Sequence, residues 1–77
     1  MRVSVVGGGA WGTGLASHCV RAGLSVRLWA RESEVVRAVN DRRENTLFLP
    51  GVSLPEGLVA FDRLEEALED AETALVV

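Results

Sequence analysis

A chain of 77 residues has room for one small domain, and burial of about 60–65% of its unfolded surface leaves a thin stability margin. Nearly half its residues are hydrophobic (48%) and a quarter charged (25%), which excludes a disordered segment. A net charge of −3 gives no basic surface for nucleic acid or anionic membrane, and the single cysteine excludes an internal disulfide.

Residues 2–6 are predicted as a first strand. This apolar run of at most four residues stops at glycines, too short for a signal-peptide core or a membrane span. Gly7, Gly9 and Gly12 follow it with the G-x-G-x-x-G spacing of a dinucleotide-binding turn. In such a turn the first glycine permits the sharp exit from the strand. The second lets the backbone approach a pyrophosphate, and the third lets the helix pack closely on the sheet. The helix N-terminus then offers unpaired N–H groups and the positive end of its dipole to the phosphates.

The first helix is expected over 11–22, with Leu15, Ala16, Cys19, Val20 and Ala22 as its apolar stripe and Gly23 as its stop. His18 falls on its polar side and reads as a surface histidine, and Cys19 as a buried, inert thiol. A second strand is expected over 25–30 and a second helix over 33–41. Ser33 is the expected cap, with Val35, Val36 and Val39 facing inward. In dinucleotide sites the end of the second strand reads the adenosine ribose. A carboxylate there suits the 2′-hydroxyl of NAD, and an arginine suits the 2′-phosphate of NADP. Arg31 favours NADP, while Glu32, one residue on, leaves NAD as the alternative.

Residues 42–57 hold both prolines and no clear period, so they read as a long loop, a feature often functional in a compact domain. A short strand over 58–61 follows. Asp62 with Glu65 resembles a capping box opening a third helix, with Leu64, Ala67, Leu68 and Ala71 on its buried face. Its acidic residues Glu65, Glu66, Glu69, Asp70 and Glu72 read as a solvent face, and no metal-ligand cluster is apparent. The terminal run Thr73–Val77 reads as a buried fourth strand. Its apolar ending suggests that the sequence is the N-terminal part of a longer protein.

Alternating strands and helices predict the first half of a Rossmann-type α/β fold, a parallel sheet with helices on both faces and strand order 3-2-1-4. The ligand crevice then lies at the carboxyl ends of strands 1 and 4. The whole of 1–77 is one part of a dinucleotide-binding domain. Its unpaired apolar edges suggest a homo-oligomer, and the cysteine usage suits a reducing cytoplasm.

The chain resembles the N-terminus of the bacterial NAD(P)-dependent glycerol-3-phosphate dehydrogenases. The resemblance rests on the run from Gly7 through Ala10, Trp11 and Gly12 to Thr13, and on Arg27-Leu28-Trp29-Ala30-Arg31. Its third piece runs from Arg43 to Pro55 and includes Asn45, Phe48, Leu49, Pro50 and Gly51. It implies reduction of dihydroxyacetone phosphate, a small phosphate substrate, to sn-glycerol 3-phosphate by a nicotinamide cofactor, supplying phospholipid backbones. It also implies cofactor contacts at the glycine turn with Ala10, at Trp11 and at Arg31, and an aromatic near the site at Phe48. For Phe48, anchoring the loop stands as the alternative role, as packing does for Trp11. Gly14 departs from the family's usual alanine, loosening the first helical turn by up to ~1 kcal/mol. The family's catalytic lysine, substrate-phosphate residues and helical domain have no counterpart in these 77 residues, so no catalytic residue is assigned here. Rival readings are a related Rossmann reductase of 3-hydroxy acids or ketopantoate, and a non-catalytic dinucleotide-binding module.

Overall fold

The structure, a computed structural model, describes all 77 residues. It contains β1 (Arg2–Val6), α1 (Ala10–Arg21), β2 (Ser25–Trp29), α2 (Ser33–Arg42), β3 (Leu58–Phe61), α3 (Leu64–Leu68) and β4 (Thr73–Val76). The four strands form one parallel sheet in the order β3-β2-β1-β4, as the alternating pattern predicts.

Register explains why the two faces of the sheet differ. Val3, Val26 and Leu58 are neighbours across three strands, as are Val5, Leu28 and Ala60. These six side chains share one face because successive residues in a strand alternate. They are buried in one cluster with Ala16 and Cys19 of α1 and Val35 and Val39 of α2. The opposite parity carries Ser4 and Arg27. Both reach α3, Ser4 donating its hydroxyl to the Ala67 carbonyl and the Arg27 guanidinium donating to the Glu66 carbonyl at 2.6 Å. Arg27 also lies 5.1 Å over the Phe61 ring, a cation–π contact. One face is therefore an aliphatic core and the other is polar and thinly covered.

Helix ends depart from the sequence reading in two places. Glu32, not Ser33, occupies the N-cap of α2, and no side chain caps that helix. The anticipated box at α3 does not form, since Arg63 is the N-cap and the Glu65 carboxylate instead accepts from Arg63 Nε at 2.9 Å. That hydrogen bond, more than the charge attraction beside it, holds the Glu65 carboxyl below its ordinary range and the Arg63 guanidinium above its own. Gly23 ends α1 as expected: it takes φ +93°, and the N–H groups of Ala22, Gly23 and Leu24 fold back on the His18, Val20 and Cys19 carbonyls respectively.

The third helix is also shorter than its pattern suggests. Only Ala67 is buried, while Leu64 and Leu68 stay exposed, because a five-residue helix presents barely more than one turn to the sheet. The fourth strand is not buried as expected. It pairs only with β1 and stands at the sheet edge, where Val76 is 81% exposed and Leu75 alone packs partly on the core. At the other edge, Asn40 covers β3. Its amide donates to the Ala60 carbonyl at 3.0 Å and accepts from the Ala60 N–H at 2.8 Å, satisfying groups an edge strand leaves open.

Residues 43–57 contain no helix or strand but are tied at several points. Arg43 closes α2 in the left-handed region at φ 55°. Its guanidinium offsets that strain by donating to the carbonyls of Asn40, Pro55 and Leu58. Leu54 is buried in the core and its N–H donates to the Arg43 carbonyl at 2.7 Å. Arg43 is thus a brace for the loop.

Candidate functional site

The carboxyl ends of β1 and β2 lie side by side, with Val6 opposite Trp29. Gly7 leaves β1 at φ +135°, a backbone conformation that strains residues with a Cβ, and its N–H donates to the Trp29 carbonyl at 3.0 Å. The chain then runs straight into α1, whose N-cap is Gly9. Inside the chain, the N–H groups of Gly8, Gly9, Ala10, Trp11 and Gly12 donate to no acceptor, and the first bond of the helix runs from Thr13 N–H to the Gly9 carbonyl. A helix start leaves such donors open, and together with the helix dipole they favour an anion. No acidic residue lies in the first turn to compete for them.

Space around the glycines separates their roles. A Cβ at Gly12 would fall inside the Gly7 carbonyl, so this glycine lets helix and turn touch. At Gly8 a Cβ would overlap the methyl of Ala30, with Ala30 Cα 3.1 Å away. At Gly9 a Cβ would meet nothing within 4 Å. Of the glycines in this turn, Gly9 is the one with open space where a Cβ would stand. The sequence reading gave Gly8 no role, and its need to pack on the residue after β2 is visible only in three dimensions.

Trp11 projects from the first turn of α1 and is 84% exposed, so it is not a core residue. With Ala10, Gly14 and Leu15 it lines a shallow apolar groove of about 490 Å³. That lining offers a flat ring or carbon chain a surface but gives no hold on a phosphate. A methyl group at Gly14 would meet open space, so this departure is sterically neutral. Trp29 is half-buried, with its indole N–H donating to the Asp62 carbonyl at 3.0 Å.

Strand β2 ends at Trp29, one residue before the expected end, and Ala30 is buried beneath Gly8. Arg31 follows with its side chain 83% exposed, and its guanidinium lies 3.8 Å from the Glu32 carboxylate. An exposed pair at that distance holds the arginine loosely. Phe48 reaches the same end of the sheet by an indirect route. Its N–H donates to the Asn45 side-chain oxygen at 3.1 Å, and the Asn45 amide donates to the Gly8 carbonyl at 2.8 Å. Phe48 is 40% exposed, and the loop it sits in is anchored by Asn45 and Leu54.

Asn45 itself is what sequence reasoning missed. It is fully buried, yet in sequence it stands among arginine, glutamate and threonine, and the family resemblance picks it out without assigning it a role. Its partners lie 32 and 37 residues away, and the only local signal is the turn it closes with Phe48, three residues on. His18 is exposed near the far end of α1 and Cys19 is buried, as the helical pattern implies. No cluster of three or more His, Cys, Asp or Glu side chains is placed to hold a metal ion, and no helix is long and apolar enough to cross a membrane.

Comparison with known proteins agrees with this geometry. Residues 2–77 match the family model described as NAD-dependent glycerol-3-phosphate dehydrogenase N-terminus. The glycerol-3-phosphate dehydrogenase [NAD(P)+] of Rhodospirillum rubrum is 60% identical over 75 residues, covering 97% of this chain and 22% of the relative. That of Bacillus mycoides is 43% identical over 76 residues, covering 99% of this chain and 22% of the relative. Among solved structures, the glycerol-3-phosphate dehydrogenase of Coxiella burnetii superposes with a TM-score of 0.88 at 36% identity. It covers 97% of this chain and 23% of that one. The Saccharomyces cerevisiae glycerol-3-phosphate dehydrogenase gives a TM-score of 0.88 at 29% identity, covering 100% of this chain and 26% of that one. The chain thus spans about a fifth of the length of the curated relatives it matches. The match runs through the glycine turn and the 43–55 loop alike, and sets aside the rival family of 3-hydroxy acid and ketopantoate reductases. This chain belongs to the glycerol-3-phosphate dehydrogenase family and matches its N-terminal part.

Proposed function

We propose that the chain binds NAD(P)H for an enzyme that interconverts dihydroxyacetone phosphate and sn-glycerol 3-phosphate, feeding glycerophospholipid synthesis. The observation that carries this reading is the cradle of unpartnered N–H groups from Gly8 to Gly12, with open space where a Gly9 Cβ would stand. A pyrophosphate fits it on charge and on shape. Gly7, Gly9, Ala10 and Gly12 hold the pyrophosphate, Trp11 and Phe48 flank the cofactor, and Arg31 takes the 2′-phosphate of NADP, with NAD as the second cofactor. The bound nicotinamide supplies the hydride, and the protein's part is to bind and orient it.

No catalytic residue is assigned within these 77 residues. The grip on the substrate phosphate and the proton donor to the carbonyl oxygen are assigned to residues outside them. The whole enzyme is proposed to be a cytoplasmic homo-oligomer without nucleic-acid or membrane partners.

The test is loss of nicotinamide absorbance with dihydroxyacetone phosphate, for the 77-residue chain and for a polypeptide extended to the relatives' length. The short chain is expected to bind NADPH without turnover, and the long one to oxidise it rapidly. Turnover by the short chain would refute the division of roles, and binding without turnover by the long one would favour a non-catalytic module. In the same assay Arg31→Glu is expected to weaken NADPH relative to NADH by about tenfold, through loss of a bidentate phosphate partner and gain of a repelling carboxylate. An unchanged preference would remove Arg31 from the ribose site.

A further inference from the structure

We propose that Asn45 is a positioning residue for the dinucleotide, holding the Gly8 carbonyl turned into the protein so that the Gly9 N–H is presented to the pyrophosphate. The inference rests on the dinucleotide reading of the site.

The Asn45 side chain is fully buried, and all of its polar atoms are engaged. One amide N–H donates to the Gly8 carbonyl at 2.8 Å and the other to Thr13 Oγ1 at 2.8 Å, while Oδ1 accepts from the Phe48 N–H at 3.1 Å. The Thr13 hydroxyl in turn donates to the Gly8 carbonyl at 3.4 Å, so that oxygen is held from two sides. The partners also dictate which way the amide faces. Flipped, it would set its oxygen against the Gly8 oxygen and its N–H groups against the Phe48 N–H.

The consequence follows from the peptide plane. The Gly8–Gly9 peptide is trans, and in a planar trans peptide the C=O and the following N–H point in opposite directions. Pinning the Gly8 oxygen inward therefore aims the Gly9 N–H outward, where it has no partner in the chain. Glycines on both sides leave this plane free to rotate, and a rotated plane would set a carbonyl dipole against the phosphates. Free rotation makes an external clamp necessary. Asn45 reaches across 37 residues to supply it.

Three ligands separate this role from a general loop anchor: NADP, inorganic pyrophosphate, and adenosine 2′-monophosphate, which lacks the pyrophosphate. Each is titrated by calorimetry into the chain and into two variants. Asn45→Asp keeps the size and the acceptor for Phe48 but sets an acceptor against the Gly8 oxygen. Thr13→Val removes only the hydroxyl. Asn45→Asp is expected to weaken NADP and pyrophosphate by about tenfold or more, leaving adenosine 2′-monophosphate within about twofold. Thr13→Val should weaken the same two ligands by about threefold, and it carries the test alone if the aspartate variant fails to fold. Equal losses for all three ligands, or no loss for any, would overturn the proposal. If the unaltered chain binds none of them, the dinucleotide reading itself fails, and the role of Asn45 with it.

Discussion

Gly12→Ala is expected to destabilise the domain by about 3 kcal/mol or more, whereas Gly9→Ala is expected to leave it folded and abolish tight cofactor binding. The two positions differ in what a methyl group meets. At Gly12 it would enter the Gly7 carbonyl, a backbone atom that cannot swing aside as a flexible side chain could. Relief would require α1 to move off the sheet. Overpacking in a core commonly costs about 1–3 kcal/mol, and a backbone clash of this kind belongs at or above the top of that range. A domain of this length has about 4–12 kcal/mol of total stability, so the loss is a large share of it. At Gly9 the methyl meets nothing, and its extended backbone, φ −76° and ψ −170°, suits alanine as well as glycine. Its stability should shift by less than about 0.5 kcal/mol. The methyl would instead stand in the cradle and weaken NADPH by about tenfold or more. Thermal melts followed by circular dichroism, beside NADPH titration, read both effects. A stable Gly12→Ala, or a Gly9→Ala that binds normally, contradicts the assignment.

Gly8→Ala should destabilise the chain by about 1–3 kcal/mol, and Ala30→Gly should restore most of that loss. The clash at Gly8 is with the Ala30 methyl, which the second substitution removes, leaving only the 3.1 Å approach to Ala30 Cα. Ala30→Gly alone has its own cost, since it empties a fully buried site directly after β2. The double variant is therefore expected to be more stable than the sum of the single losses predicts, by about 1 kcal/mol or more. Denaturant titration of the four proteins in the cycle measures this. Simple additivity would mean that Gly8 is needed for some reason other than contact with Ala30.

The pairing of Gly8 with Ala30 is a fair measure of what sequence reading reaches. Gly7, Gly9 and Gly12 are legible because their spacing reflects a local requirement, one turn between one strand and one helix. Gly8 stands between them with a requirement just as strict, but its reason lies 22 residues on. Arg31 is legible as a candidate because it closes a strand-like run. The capping expectations failed for the converse reason. Ser33 and Asp62 have suitable chemistry, yet the chain enters each helix at Glu32 and Arg63, and Glu65 takes its partner from Arg63.

The sequence by itself determined the order of the elements, the parallel sheet in the order 3-2-1-4 and the spacing of the glycine turn, while the family came from the resemblance of its motifs. The first three rest on apolar periodicity, glycine spacing and crossover handedness, which act over one or two elements at a time. Only the tertiary structure decided that Arg43 braces the loop and that Asn45 grips Gly8 from 37 residues away. Burial and hydrogen-bond partnership are properties of pairs of residues brought together by the fold. A polar residue such as Asn45 carries no mark in sequence of whether its partner is water or a carbonyl on another element.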